Sequence, residues 1–412
     1  MEINLLRNTR LLIKKILFTY GIMLCLFLFL IIGVYCIPQS WIKKNVITSE
    51  QLIQKEGLYP QAFNFTFFMF DNYTDALMFN LAISADEDHP IQSAMKNPIY
   101  MGSEGIAVAG EQVAKNELEG LSVFNYGRYW QGHQVLLRPI LIFMNYAGIR
   151  ILNYILLTSL VVWCFMLMCK KISRSVAVLF LISLVLINFP IVPYSMQFSM
   201  CFYILLLAMI ALLRIPTLTA SLHSTICTFF VIGGVTSYLD FLTTPQLTLG
   251  FPLIVYMLQK GETNKKLVIL LSFFWALGYG GIWISKWCVG SIFTGTNFFI
   301  DALKAVQYRS FGEFGMSNLV SIYYILGLFL ILACIILIFI YKKAGKGIES
   351  YKSHVYLLLI ALIVPVWFCI IRNHTIEHIW FTWRALLLTV YSGLLFMYYT
   401  IDFKKINIRN NG

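Results

Sequence analysis

Residues 16–37 read ILFTYGIMLCLFLFLIIGVYCI, an apolar run without a charged side chain. An α-helix needs about 20 such residues to cross the hydrocarbon core of a membrane. Basic residues precede the run at Arg7, Arg10, Lys14 and Lys15. The run is too long for the core of a secretory signal, and no small-residue cleavage site follows it. The stretch therefore predicts a retained first transmembrane helix.

The composition of the whole chain points the same way. Of the 412 residues, 59% are hydrophobic and only 12% are charged, whereas soluble domains carry about 25% charged residues. The formal net charge is +12, and membrane proteins collect such Lys and Arg in their cytoplasmic loops. We therefore expect no nucleic-acid partner. The nine cysteines are scattered through apolar runs without a CxxC pair, which predicts small apolar fillers and no disulfide or metal framework.

Ten segments of the chain are apolar enough to span a membrane, some of them marginally. The predicted spans are 15–37, 149–169, 175–193, 196–213, 224–241, 246–258, 267–286, 318–341, 354–371 and 385–401. We therefore expect an all-α polytopic membrane protein in which residues 1–412 form one integral membrane domain.

The distribution of charge orients these spans. With a cytoplasmic N-terminus, the inner ends carry most of the Lys and Arg, in stretches such as RNTRLLIKK, KKISR and YKKAGKGIESYK, as the positive-inside rule requires. Both termini are then cytoplasmic. Only Glu2, Glu262, Glu349 and Asp402 among the 19 acidic residues fall on the inner side. This skew suggests that the outer face carries the chemistry.

Three outer segments follow from this map: a large loop at 38–148, a second loop at 287–317 and a short polar loop at 372–384. Amphipathic helices beside a membrane often lie in its interface, so contact with membrane lipids is expected of the large loop. The amphipathic stretches within it are 46–56, 74–85 and 104–120.

The stretch FMFDNYTDALMFN at 68–80 carries two acids of the large loop. Asp71 and Asp75 are four residues apart, so one helical turn can bring both carboxylates to one side. A carboxylate there could act as a general base. The alternative is structural, because Asp71 or Thr74 could simply be a helix N-cap.

The stretch NYGRYWQGHQVLLRPI at 125–140 interleaves basic and aromatic residues: Arg128, Tyr129, Trp130, His133 and Arg138. Trp, Tyr and Arg gather routinely as interfacial anchors. Yet Arg128, His133 and Arg138 would lie at the outer interface, whereas basic residues usually gather on the cytoplasmic side. A phosphate ligand would explain them, because Arg matches phosphate oxygens bidentately.

Two further sites lie at predicted helix ends. Asp240, in YLDFLTTPQ, is an ionisable group at the edge of a membrane segment, which is either functional or a solvated helix end. The stretch RNHTIEHIWFTWR at 372–384 holds His374, His378 and Arg384. The HxxxH spacing could suit zinc, but no third ligand is specified, so we predict no metal site. Arg384 could also be an edge anchor.

This layout resembles the GT-C superfamily of polytopic glycosyltransferases, which use polyprenyl-phosphate-linked sugars. In that family the catalytic Asp or Glu lies in the first extracytoplasmic loop, and Asp71 in FDNYTD matches that position, with Asp75 beside it. RYWQGHQVLLRP and NHTIEHIWFTWR look like the Arg/His/aromatic elements of bacterial surface-polysaccharide members. The usual adjacent acidic dipeptide is absent, which leaves the choice between Asp71 and Asp75 open.

The resemblance implies a hexosyl- or pentosyltransferase of the bacterial cytoplasmic membrane. Its donor would be a polyprenyl-phosphate-linked sugar, and its acceptor a cell-surface glycan or a lipid-linked molecule on the outer face. Asp71 or Asp75 would be the base, and a divalent cation beside them stays open as a cofactor. Phosphate or sugar would be bound by Arg128, His133, Arg138, His374, His378 and Arg384, sugar hydroxyls by Asp240, and a sugar ring by Tyr129 and Trp130.

Two other classes share many of these features. A polysaccharide polymerase or ligase also works on the outer face with arginines and long loops, but tends to carry its large loop later in the chain. A lipid-linked oligosaccharide flippase or transporter usually places charges in a central cavity. Here the middles of the predicted helices are nearly free of charge.

Overall fold

A computed structural model describes residues 2–62, 68–312, 342 and 344–402 of the chain. Within these ranges the protein is built almost entirely of α-helices, with one short two-stranded antiparallel sheet. The helices are α1 Glu2–Tyr35, α2 Gln39–Glu56, α3 Asn72–Ile83, α4 Pro90–Lys96, α5 Ile106–Lys115, α6 Gln134–Leu141, α7 Tyr146–Lys171, α8 Arg174–Leu186, α9 Met196–Arg214, α10 Leu222–Leu239, α11 Gln246–Lys260, α12 Lys265–Thr294, α13 Phe298–Phe311, α14 Ile348–Ala361, α15 Ile363–Ile370, α16 Arg372–Glu377, α17 Ile379–Thr382 and α18 Leu386–Thr400.

Seven helical stretches among the described residues are long and apolar enough to cross a membrane. They are Thr9–Tyr35, Tyr146–Lys171, Met196–Arg214, Leu222–Leu239, Lys265–Thr294, Ile348–Ile370 and Ile379–Thr400. The prediction of an all-α polytopic membrane protein is confirmed at this level.

The three remaining predicted spans have different outcomes. The span at 175–193 is divided between the 13-residue α8 and a 3₁₀ turn, Phe189–Tyr194, which contains two prolines. The span at 246–258 is the 15-residue α11, with Pro252 inside it. Both helices are shorter than the roughly 20 residues that a span requires. The span at 318–341 lies outside the described residues.

The long helices pack closely because small residues let their backbones approach. The best example joins α10 to α12. A Cβ atom added at Gly233 would lie 2.0 Å from the carbonyl oxygen of Trp275, and one added at Gly278 would lie 2.0 Å from that of Phe230. Only glycine fits this contact, which is typical of helix pairs in membranes.

Residues 36–145, which we call the head segment, form a small helical layer on one end of the long helices. It contains α2 to α6 and the antiparallel strands β1, Pro98–Met101, and β2, Ser122–Asn125. The amphipathic stretches predicted at 46–56, 74–85 and 104–120 correspond to parts of α2, α3 and α5. These helices bury a common apolar core that includes Val46, Phe79 and Val113.

Two buried cations fasten this layer to the long helices. The guanidinium of Arg138 donates from Nε to the carbonyl of Val34 (2.8 Å), from Nη2 to that of Ile37 (2.5 Å) and from Nη1 to that of Ala82. The ammonium of Lys286 donates to the carbonyls of Ala94 (2.6 Å) and Met95 (3.1 Å).

These carbonyls lie at the C-terminal ends of α1, α3 and α4. The last carbonyls of a helix have no partner within the helix, so a buried helix end needs an outside donor. Arg138 and Lys286 are both 0% exposed and supply those donors. The head segment is therefore held by side chains that satisfy helix ends.

We expect Arg138→Met to destabilise the protein by about 3 kcal/mol or more, because it removes the guanidinium from the carbonyls of Val34, Ile37 and Ala82 and leaves those of Ile37 and Ala82 without this donor. Thermal unfolding in detergent measures the loss. Arg174→Met, at an exposed position, is the matched control and should stay within about 0.5 kcal/mol of the native protein. Equal unfolding temperatures for the two variants would contradict this role of Arg138.

Candidate active site

Asp71 lies at the N-terminus of α3 and is 1% exposed. Its carboxylate accepts hydrogen bonds from the backbone N–H of Thr74 (3.0 Å) and from the Thr74 hydroxyl (2.7 Å), so it is the N-cap of the helix. Burial raises the pKa of Asp71 to about 7, against the lowering effect of the two Thr74 hydrogen bonds. A carboxyl with such a pKa exchanges protons near neutral pH, as a general base must.

Asp75 is also buried, but four donors surround it. It accepts hydrogen bonds from the hydroxyls of Tyr146 (2.5 Å) and Ser195 (3.3 Å), and from the backbone N–H groups of Met196 (3.0 Å) and Gln197 (3.1 Å). Burial raises its pKa to about 6, and these hydrogen bonds limit the rise. The N–H groups belong to the start of α9, so Asp75 caps that helix. This geometry favours a structural carboxylate.

An apolar cavity of about 470 Å³ begins at this point and runs along α9 between α7 and α10. Met78, His133 and Met196 line its end at the head segment. Ser195 donates a hydrogen bond to the backbone carbonyl of Asp71 (3.4 Å) and directly precedes Met196, which lines the cavity; Asp71 itself is not part of the lining. Leu136, Leu156 and Leu207 line the cavity with 45–51% of their side-chain surface exposed. The cavity therefore opens sideways, toward the surface that a membrane would cover.

A polar seam lies beside the same end of the cavity, where residues 131–134 meet residues 237–246. Gly132 donates its N–H to the carbonyl of Tyr238 (2.9 Å), and the rings of His133 and Phe241 are 4.7 Å apart. Buried polar atoms of this seam lack a hydrogen-bond partner among the described residues: Gln131 Nε2, His133 Nδ1, Ser237 Oγ and Gln246 Oε1. Each such atom costs about 1–3 kcal/mol unless water or a ligand completes it.

The backbone of the seam is also strained. Gln131 and Leu242 have φ values of +56° and +65°, in the left-handed region that residues other than glycine avoid. Strained residues of this kind cluster at ligand sites. The carbonyl of Leu242 accepts a hydrogen bond from His374 Nε2 (3.2 Å), which ties the seam to the 372–384 stretch.

Asp240 closes the turn between α10 and α11. Its carboxylate accepts from the Thr243 N–H (3.1 Å) and from the Cys201 thiol (3.2 Å). Burial raises its pKa, and only 7% of the residue is exposed. The alternative of a solvated helix end is therefore wrong. Its role toward sugar hydroxyls stays a prediction.

Of the two arginines in the 125–140 stretch, Arg128 is the more exposed. Its guanidinium lies 4.4 Å from the ring centre of Tyr126 and 5.3 Å from that of Tyr129, and it pairs with Asp301 at 3.2 Å. Arg309 of α13 approaches the same tyrosine, donating to its hydroxyl and lying 5.2 Å from its ring centre. Two arginines therefore share Tyr129.

Arg309 was missed by the sequence analysis. It lies in the predicted loop at 287–317, within an ordinary amphipathic helix, and nothing in its neighbours marks it. Burial lowers its pKa, and the nearby Arg128 lowers it further. The signal that could have pointed to it is the aromatic density of Tyr126 and Tyr129, which is suited to holding guanidinium groups.

The two histidines of the 372–384 stretch contact one another, with ring centres 4.6 Å apart. Burial lowers the pKa of His378 to about 4 and that of His374 well below its ordinary value, and the neighbouring Arg309 lowers both further. Both imidazoles are therefore neutral at pH 7. They can give hydrogen bonds to a phosphate or sugar but no positive charge.

Arg384 lies beside the aromatic rings of Phe198 and Trp383 and is 1% exposed. Its guanidinium is 4.5 Å from the ring centre of Phe198 and donates to the carbonyl of Trp380 (3.2 Å). The ring centres of Trp380 and Tyr59 are 5.3 Å apart. Burial raises the pKa of the Tyr59 phenol, and the nearby Asp71 raises it further. Arg384 therefore contacts the backbone of Trp380, whose ring contacts Tyr59, a neighbour of Asp71.

Three predicted ligands occupy structural positions. The guanidinium of Arg138 donates hydrogen bonds from three of its N–H groups to backbone carbonyls. Trp130 is 0% exposed and donates from its indole to the carbonyl of Ile282 (2.6 Å). Tyr129 is 6% exposed, and besides the two arginines it stacks on Trp283 at 6.0 Å. For Trp130 and Tyr129 the ring faces that a sugar would need are covered by the protein.

His133 is buried, and burial lowers its pKa to about 3. One of its ring nitrogens, Nδ1, has no hydrogen-bond partner among the described residues. Its ring lines the head end of the apolar cavity. A neutral imidazole there can accept or donate one hydrogen bond.

A divalent cation fits poorly beside Asp71 and Asp75. Both oxygens of Asp75 already accept N–H or O–H donors, so a cation would have to displace those hydrogen bonds. In the part of the chain that the structure describes, no group of three or more His, Cys, Asp or Glu residues could hold a metal ion.

Comparison with protein-family models, with curated proteins and with solved structures finds no match to this chain.

The two aspartates should respond differently to the same substitution. We expect Asp75→Asn to destabilise the protein by about 1–3 kcal/mol, because an amide cannot accept from all four donors. Asp71→Asn should stay within about 0.5 kcal/mol, since Asn is as good an N-cap as Asp. Thermal unfolding of the purified variants in detergent compares them. A larger loss for Asp71→Asn would reverse the assignment of the structural carboxylate.

Proposed function

We propose that this protein is a membrane glycosyltransferase that moves a sugar from a polyprenyl-phosphate carrier to a cell-surface glycan or lipid-linked acceptor. The reaction takes place on the outer face of a bacterial cytoplasmic membrane. The observation that carries the proposal is Asp71, a buried carboxyl with a pKa near neutral whose backbone carbonyl accepts a hydrogen bond from Ser195, the residue before Met196 in the wall of an apolar cavity.

The cavity supports a substrate carried on a lipid. Its lining is almost wholly apolar, and its exposed leucines give a long hydrocarbon chain a lateral entrance. Each buried CH₂ group of such a chain would contribute roughly 0.8 kcal/mol. The polar seam adjoins the end of the cavity at the head segment, where the sugar of a lipid-linked donor would emerge. Its unpartnered amide and hydroxyl groups suit sugar hydroxyls.

Asp71 is the base that fits this reaction better than Asp75. An acceptor hydroxyl attacks the anomeric carbon of the donor and transfers its proton to the Asp71 carboxylate. The bond between that carbon and the phosphate oxygen breaks, and its electron pair leaves with the polyprenyl phosphate. Asp75 would first have to give up four hydrogen bonds that hold the start of α9.

The leaving phosphate needs positive charge in a site of low dielectric constant. Arg384 is buried and contacts the backbone of Trp380, whose ring contacts Tyr59, a neighbour of Asp71. Arg128 and Arg309 meet at Tyr129. These arginines are the candidates for that charge. The neutral His374 and His378 would add hydrogen bonds.

A flippase is the weaker alternative. To cross a membrane, a sugar needs polar groups along its whole path, because unpaired polar groups in an apolar medium cost several kcal/mol each. The polar residues that line the cavity along α9, His133, Asn153 and Tyr203, lie in its half nearer the head segment. A lipid chain fits the remainder, whereas a sugar does not.

The test replaces Asp71 by Asn in the native host and analyses the surface glycan. General-base catalysis contributes about 10²–10⁴-fold, so we expect the product sugar to fall by about 10²-fold or more while the protein level is unchanged. Asp88→Asn makes the same change at an exposed position of the head segment and should leave the glycan intact. An unchanged glycan in the Asp71→Asn strain would remove Asp71 from the reaction.

The rate should also depend on pH through Asp71. The base must be deprotonated, and burial raises its pKa to about 7. We therefore expect transfer by the purified protein to rise as pH increases through about 7 and to level off above it. A rate that is flat between pH 5 and pH 9, or that falls as pH rises, would contradict the role of Asp71 as base.

A further inference from the structure

A second cavity, of about 490 Å³, continues the apolar cavity along α9 toward the far end of the molecule. Four residues line both cavities: Ala208 and Ala211 on α9, and Val231 and Ile232 on α10. The two cavities therefore adjoin at these four residues, which we call the neck. The two alanines carry only methyl side chains, so a larger residue at either position would fill space between the cavities.

The two cavities together extend over more than one leaflet of a membrane. Its wall on α9 extends from Met196 to Ala211, which at 1.5 Å per residue is about 22 Å. The second cavity continues past the neck to Thr217 and Leu218, beyond the end of α9. The hydrocarbon core of a bilayer is about 30 Å thick, so half of it is about 15 Å. A chain that fills the first cavity already passes the middle of the membrane.

The far end of the second cavity is polar. Lys15 of α1 and Ser224 of α10 line it, and Lys15 is exposed. An ordinary phospholipid tail would end well before this point. A single hydrocarbon chain that starts at the head segment and reaches the neck has to be longer than the tails of the surrounding lipids, as an isoprenoid carrier is.

We propose that the neck makes the protein select lipid carriers by chain length: the isoprenoid chain of the donor passes between Ala208 and Ala211 of α9 and the facing residues of α10 into the second cavity. This inference rests on the proposed function, because it concerns the carrier of the same donor.

The experiment measures binding of two probes, undecaprenyl phosphate and farnesyl phosphate, to the purified protein in lipid nanodiscs. The farnesyl chain ends within the first cavity, whereas the undecaprenyl chain is long enough to pass the neck. Burial of the additional CH₂ groups predicts that the long probe binds at least about tenfold more tightly. The double variant Ala208→Leu/Ala211→Leu should lose this preference and bind both probes as the native protein binds the short one.

The control is Ala276→Leu, the same substitution at an exposed position of α12 outside both cavities, which should keep the preference. Equal affinities of the native protein for the two probes would overturn the inference and leave the proposed function standing. A double variant that binds both probes equally more weakly, or that keeps the preference for the long probe, would also overturn the inference and leave the proposed function standing. If neither probe binds the native protein, the proposed function fails, and the inference fails with it.

Discussion

The structure depends on one constraint: in an apolar surrounding, the unpaired backbone groups at helix ends need partners from elsewhere in the protein. Buried charged side chains supply these partners where the head segment contacts the long helices. Arg138 and Lys286 donate to carbonyls at the C-terminal ends of α1, α3 and α4, and Asp75 accepts from the first N–H groups of α9. The cations lie at carbonyl ends and the anion at an amide end, as the helix dipole favours. These contacts fix the head segment, and with it Asp71, relative to the cavity.

The same constraint explains which parts of the site the sequence could predict. Hydropathy located the long spans because apolar length is a local property. The division of 175–193 depends on Pro190 and Pro193, whose turn the apolar pattern conceals. The basic and acidic residues of the head segment were recognised as unusual, but charge alone does not separate a ligand from a helix-end partner. The partners of Arg138 are backbone carbonyls, which leave no trace in a sequence. Arg309 was missed for the opposite reason, because its importance comes only from Tyr129, 180 positions away in the chain.

What remains for chemistry is a smaller set of residues than the sequence suggested. Asp71 keeps a pKa near neutral because burial outweighs its two hydrogen bonds from Thr74. The histidines of 372–384 are kept neutral by burial and by Arg309, so positive charge in the site comes from the arginines. The strained turns at 131–134 and 237–246, with the polar atoms that lack a partner among the described residues, lie where the apolar cavity ends. A lipid-linked sugar would place its hydrocarbon chain in the apolar cavity, its phosphate beside the arginines, and its hydroxyl groups at the polar atoms of residues 131–134 and 237–246.

The most direct test of this account is the structure of the protein in a lipid nanodisc with a bound polyprenyl-phosphate sugar, determined by electron cryomicroscopy. We expect the hydrocarbon chain in the cavity along α9, the sugar at the seam between residues 131–134 and 237–246, and its anomeric carbon near the Asp71 carboxylate. The phosphate would lie beside one of the arginines Arg128, Arg309 or Arg384. A lipid bound on another face of the helices, or a sugar separated from Asp71 by intact protein side chains, would contradict the central claim.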